Sequence, residues 1–216
     1  MILPIFKKKK YIENVNTAED AAKYLGFKNR EIKLDTITPL VANNLDTLIR
    51  YWNIEDEELN KTFAEREPIK IYINSLGGSL EGTLTIINSI MMSRTPVYTF
   101  NIGVVEKEAF LIYIAGHKRL SYANAIFMFS DSILIKEEQE KSSNESNFYN
   151  QISLVNSVAK DMKLLFLDRV GITEAQYDKH CKNDWWFNAE DALKLHICNE
   201  ISRKHFHYVK KEDLRA

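Results

Sequence analysis

Cysteine, glycine and long apolar stretches are all scarce in this chain, and each shortage removes a class of protein. Only two of the 216 residues are cysteine, Cys181 and Cys198, and they form no close-spaced motif. That excludes a disulfide framework and a zinc site and leaves two ordinary reduced thiols. The apolar run at the N-terminus is too short for a signal segment, and Phe110 to Ala115 is too short to span a bilayer. A cytoplasmic protein without a membrane partner is expected. With 29 basic against 30 acidic side chains, the net charge of −1 supplies no overall field toward nucleic acid or anionic lipid. No metal or other cofactor is indicated.

What is present points to a globular domain, since 45% hydrophobic content over this length buries a substantial core without cross-links. From Glu31 onward, strand and helix patterns alternate. A strand is predicted near Ile32 to Leu34, a helix from Pro39 to Trp52, a strand from Ile69 to Asn74 and a helix from Leu80 to Met92. In that helix Leu84, Ile87 and Met91 stand at core spacing. A strand from Val97 to Ile102, a helix from Lys107 to Ala115 and strands around Leu120 and from Ile126 to Phe129 follow. Such alternation predicts an α/β fold.

Farther along, a long helix is expected from Asn147 to Val170, then a short one from Thr173 to His180 opened by a Thr173 and Gln176 capping box. Thr17 to Gly26 reads as a short helix with Thr17 at its N-cap. The acidic stretch Ile54 to Glu67 reads as a surface insertion, Lys7 to Lys10 as a solvated arm, and Lys204 to Ala216 as a mixed-charge tail. His117, His180, His196, His205 and His207 fall in turns, peripheral segments or the tail and make no ligand set.

The densest chemical signal is Ile71 to Leu80, a buried strand followed by Gly77-Gly78 and a helix start. Paired glycines let backbone N–H groups approach a ligand unobstructed, and a helix N-terminus adds positive partial charge, which suits an oxyanion. A tight strand-to-helix turn also calls for glycine on steric grounds alone.

Ile71 to Ser79 resembles the YINSPGGS turn of the proteolytic subunit of the Clp protease family, ClpP, with Leu76 at the usual proline. Asn101-Ile102-Gly103 resembles that family's strand entering its nucleophile turn. Asp184 to His196 is similar to its terminal motif, in which an aspartate precedes a short helix and a final strand, here Ile197 to Ile201. The resemblance implies a ClpP/crotonase-like fold of repeated β-β-α units with a protruding helical handle at about 131–170. It implies a domain over 30–201, preceded by an arm and short helix at 1–29 and followed by a tail at 202–216.

Departures from the family pattern fall on its reactive positions. The family's G-x-x-x-S-M-G-A helix start corresponds to Gly103 to Phe110, with Lys107 where the nucleophilic serine belongs. Its P-N-S-x-x-M-x-H strand corresponds to Ala123 to Ser130, with Ser130 in the histidine's place. Asp184 stands at the third triad position, and the resemblance assigns the oxyanion hole to the N–H groups of Gly78 and Glu108. A Ser-His-Asp peptidase needs a group that takes and returns a proton near neutral pH, and neither replacement does that. Lys107 and Asp184 are expected to form an ion pair.

The resemblance therefore implies a catalytically inactive subunit with a structural or regulatory role, in a homo-oligomeric heptameric ring or a mixed ring with an active ClpP. An AAA+ unfoldase is the family's partner, but the altered N-terminal segment speaks against standard docking. The charged run Lys136 to Glu145 is poorly suited to the ordered handle strand that binds substrate and joins two rings. Two alternatives stay open: a hydrolase with a rearranged Ser130/Lys107 dyad, and a crotonase-like acyl-CoA enzyme, for which no acyl-CoA contacts are recognisable.

Overall fold

The computed structural model of the chain describes residues 25–130, 145–181 and 183–202. Its centre is β2 (Ile69–Ser75), where Ile69, Ile71, Ile73 and Ser75 point inward and the residues between them do not. This period-2 alternation is that of a strand with one face on the core. Parallel neighbours are β1 (Glu31–Leu34) on one side and β3 (Val97–Glu106) on the other; β4 (Lys118–Tyr122) and β7 (Glu200–Ser202) continue the sheet in the order β1-β2-β3-β4-β7. Two strands stand off this path. β5 (Ile126–Phe129) runs parallel to the end of β3, and β6 (Trp185–Asn188) pairs antiparallel with β5. The expected α/β class is what the structure has.

The helices are placed by their caps. α1 (Pro39–Glu58) begins with proline, and the Thr38 side chain accepts the Val41 N–H. Likewise the Ser79 side chain accepts the Gly82 N–H to open α2 (Leu80–Met91). α3 (Glu108–Ala115) is apolar all round after its first residue, and each residue from Ala109 to Ala115 is buried, as expected of a helix at the centre of a domain. Around Phe110 the rings of Phe127, Phe129, Phe166 and Phe187 converge, with centroids 5.2–6.3 Å away. Each such burial contributes about 2 kcal/mol from area alone. Phe166 comes from α4 (Glu145–Arg169), so the far end of the long helix is pinned to the core. α5 (Glu174–His180) carries the expected capping box, with the Gln176 side chain accepting the Thr173 N–H at 2.8 Å and Thr173 accepting the Gln176 N–H at 3.3 Å. Then α6 (Ala189–Lys194) follows β6.

Several sequence expectations are corrected. α1 runs on past Trp52 into the acidic stretch, and Asp56 is fully buried rather than part of a surface insertion. The Arg30 guanidinium donates to both oxygens of Asp56, at 2.6 and 2.9 Å, and to Glu55 at 2.9 Å. Thr95 Oγ1 donates to Asp56 at 3.0 Å, and Lys61 Nζ donates to the same carboxylate at 3.3 Å. Burial opposes the Asp56 charge, but these hydrogen bonds more than offset it and hold the carboxyl below its ordinary range. In α2 the inward residues are Ile86, Ile87 and Ile90, whereas Met91 is 50% exposed. That helix packs between α1 and α3, which turns its apolar stripe away from Met91. Strand β6 was not expected, and β7 starts at Glu200 because Ile197 and Cys198 are buried in the preceding turn.

The buried Arg119 holds that turn by donating to the carbonyls of Ile197, His196 and Arg169. His117 accepts the Val97 N–H on Nδ1 at 3.0 Å, and burial lowers the pKa of its imidazole. Cys181 and Cys198 are buried and not in a disulfide, and burial pushes the Cys198 thiol up to about 11. No described helix is long and apolar enough to cross a membrane, and no described cluster of three or more potential ligands could hold a metal ion. Most of the Thr17 to Gly26 helix, the Lys7 to Lys10 run, nearly all of the Lys136 to Glu145 run and the C-terminal tail lie outside the described residues.

Candidate functional site

Strands β2, β3 and β5 run parallel, so their carboxyl ends share one edge of the sheet. β3 changes neighbours on the way there. Tyr98 to Asn101 pair with β4, and Val104 to Glu106 pair with β5. Opposite β2 the register jumps from Ile73↔Asn101 to Ser75↔Val105, so two extra residues of β3 are accommodated. Two asparagines fill the gap. Asn74 accepts the Val104 N–H at 2.9 Å; Asn101 accepts the Gly103 N–H at 3.0 Å and donates to the Ile126 carbonyl at 2.9 Å. A side chain at Gly103 would collide with the Asn74 amide.

This irregularity delivers Lys107 to the corner between β3 and α3. Its backbone sits at φ 51° and ψ −124°, a strained region for a residue with a side chain. The Lys107 N–H donates to the Met128 carbonyl at 3.1 Å, and its carbonyl accepts the Phe110 N–H at 2.9 Å. α3 proper therefore starts at Glu108, one residue later than expected, with Lys107 as a corner residue exposed to solvent.

Facing the corner is the glycine turn. Gly77 has φ 109°, a conformation open to glycine. Gly78 forms a bridge to Ile37, and a Cβ on Gly78 would strike the Ile37 carbonyl oxygen, so the close approach itself demands glycine. The Ser79 N–H donates to that same carbonyl at 2.9 Å. What the Gly78 N–H meets is the Glu108 side chain: Oε2 accepts it at 3.0 Å. Gly78 and Glu108, named from sequence for their backbone donors, are thus brought together through a carboxylate. Sequence reasoning missed this use of Glu108; the signal was an acidic residue at a helix start where the family pattern has methionine.

Ser130 and Asp184 arrive by strand register. The β5–β6 ladder ends at Phe129↔Trp185, so one further step places Ser130 across from Asp184. Positions 107, 130 and 184 therefore share one corner of the fold. Their exposures differ, however: Ser130 is 2% exposed, while Lys107 and Asp184 face solvent. Among the described residues no ion pair joins Lys107 to Asp184, which corrects the expected pairing. Two solvated charges gain only about 1 kcal/mol by associating, too little to fix a geometry.

Of the described histidines, one packs on the residue that follows Asp184 in sequence. His117 packs on Phe63, His180 stacks on Trp185 at 4.9 Å, and His196 lies in the turn after α6. At the other end of the β5–β6 ladder a shallow hollow of about 330 Å³ is lined by Ile126, Trp186, Phe187, Asn188 and Asp191.

Chemically, the corner offers a solvent-facing ammonium, a buried hydroxyl and a solvated carboxylate. An ammonium has no lone pair with which to attack a carbonyl, and a relay needs an imidazole or equivalent base between hydroxyl and carboxylate.

The sequence model of the Clp protease family matches residues 59–205 of this chain. A relative from Treponema denticola, named ATP-dependent Clp protease proteolytic subunit 2, is 23% identical over 151 residues, covering 67% of this chain and 71% of its own. The ATP-dependent Clp protease proteolytic subunit of Streptococcus mutans is 24% identical over 159 residues, 68% of this chain and 80% of that protein. One from Oenothera elata is also 24% identical, over 180 residues that span 81% of this chain and 67% of the relative. The motifs, the α/β fold and the extent of the family match lead to one assignment: the chain belongs to the Clp protease family.

Proposed function

We propose that this chain is a ClpP-like subunit without peptidase activity, which serves a structural or regulatory role in a ring built of its own copies or shared with an active ClpP. The observation that carries this reading is Lys107. It occupies the strained corner between β3 and α3, at the position of the family's nucleophile, and presents an exposed ammonium to solvent. Ser130 at the histidine position supplies no proton relay, and among the described residues no histidine hydrogen-bonds to Asp184. The burial of Ser130 beside an exposed Lys107 speaks against a Ser130/Lys107 dyad. We take 30–201 as the working domain, 1–29 as an arm and 202–216 as a tail, in a cytoplasmic protein.

The test is chemical and hydrodynamic together. The native chain should show no covalent labelling by a fluorophosphonate probe and no hydrolysis of a chromogenic peptide, at least about 10⁴-fold below a Ser-His-Asp peptidase. Labelling that disappears in Ser130→Ala would overturn this in favour of the dyad. The native mass of the purified chain, or of the chain with an active ClpP, should be that of a closed ring. A monomer under both conditions would sink the ring role.

A further inference from the structure

We infer that Glu108 closes the oxyanion hole from within: its carboxylate is an internal anion held on the Gly78 N–H, so the turn is shut to a substrate carbonyl independently of what stands at 107 and 130. The inference rests on reading this turn as the acyl-binding site of the family fold, and it goes further by naming a second, separate block.

Three observations converge on it. Glu108 Oε2 accepts the Gly78 N–H at 3.0 Å, a charge-assisted bond. A Cβ on Gly77 would collide with that same oxygen, and it would also crowd Lys107 Cβ, so the bare glycine is the space into which the carboxylate fits. Glu108 is the first residue of α3, and the carboxylate lies by the start of α2 as well, where free N–H groups and the helix dipoles favour negative charge. The glycine turn and the α3 N-terminus that would stabilise a transient oxyanion instead stabilise a permanent one.

The consequence for chemistry is electrostatic. A donor already engaged by a carboxylate gives nothing to a developing alkoxide, and a second negative charge placed about 3 Å away is repelled. An incoming carbonyl must first displace Glu108 into water. Losing one hole donor costs about 100-fold or more in acylation rate, so reinstating serine and histidine alone leaves a crippled site.

The first test reads the contact directly in the full-length, ¹⁵N-labelled chain. The Gly78 amide proton should move upfield in Glu108→Ala and exchange faster with solvent, while Glu108→Gln, which keeps an acceptor without the charge, should fall between. A Gly78 resonance unmoved in both variants overturns the inference. The second test compares fluorophosphonate labelling of Lys107→Ser/Ser130→His with the same protein carrying Glu108→Met. The triple variant should react at least about 100-fold faster; equal rates overturn the closed hole. Peptide hydrolysis by the unaltered chain would instead sink the inactive-subunit reading, and it leaves the amide result standing on its own.

Discussion

The backbone frame around the corner and the side chains it presents follow different rules. In the frame the inward polar side chains find partners: Asn74 and Asn101 close the β3 irregularity, and Arg30 locks Asp56 near the end of α1, while the bare Gly78 accommodates Ile37. At the presented positions the chemistry of the family is missing, with Lys107 and Asp184 solvated and no ion pair between them among the described residues. On the proposed reading a scaffold able to aim a nucleophile persists without one, because strand register and glycine contacts depend on packing and not on reactivity.

The sharpest way to break that contrast is at the buried anchor. Asp56→Ala should cost about 3–5 kcal/mol, since it leaves the Arg30 charge buried without its main partner; a chemical-denaturation midpoint close to that of the native chain would refute the anchor role. Next in size, Gly78→Ala should cost about 2–3 kcal/mol by driving a methyl into the Ile37 carbonyl, read by the same measurement. A cost below that of an ordinary surface change would show that the turn relaxes freely.

The pH dependence sharpens the comparison further. The folded-state pKa of Asp56 is lowered, so its stabilising contribution is fully present above the ordinary carboxylate pKa of about 4 and is lost as pH falls below it. Denaturation midpoints should drop through that acid window in the native chain and drop less in Asp56→Asn. Parallel curves would refute the assignment. The smallest effect is expected at the corner itself. Lys107→Gly relieves a positive φ on an exposed residue and should raise stability by about 1 kcal/mol; a loss of similar size would mean that the lysine side chain contributes packing after all.

Much of the fold was legible because it is local. The Ile69, Ile71 and Ile73 alternation announced β2, and Thr173 with Gln176 announced α5. What escaped was tertiary. Asp56 sits in an acidic run that reads as solvated, and only the arrival of Arg30 from 26 positions away makes burial affordable. Strand β6 has four residues and no hairpin signal, since its partner β5 is far away in sequence. At the site, motif spacing singled out 78, 107, 108, 130 and 184, yet it could not say where side chains turn. Lys107 and Asp184 went to water, and Glu108 turned inward to the glycine turn.

One property of β3 bears on how the molecule moves. Because the strand hands over from β4 to β5 near Gly103 while β2 stays on its other side, its two spans share one neighbour and differ in the other. The first belongs to the central sheet. The second is tied to β5, which carries β6 on its other edge, and Lys107 hangs from this span through the Met128 carbonyl. Local opening of the β5–β6 pair therefore loosens the corner while leaving β1, β2 and β4 registered. In hydrogen exchange the amides of Val105 to Lys107 are expected to follow those of β5 and β6, so the corner at the family's nucleophile position would open as a flap on an otherwise steady sheet.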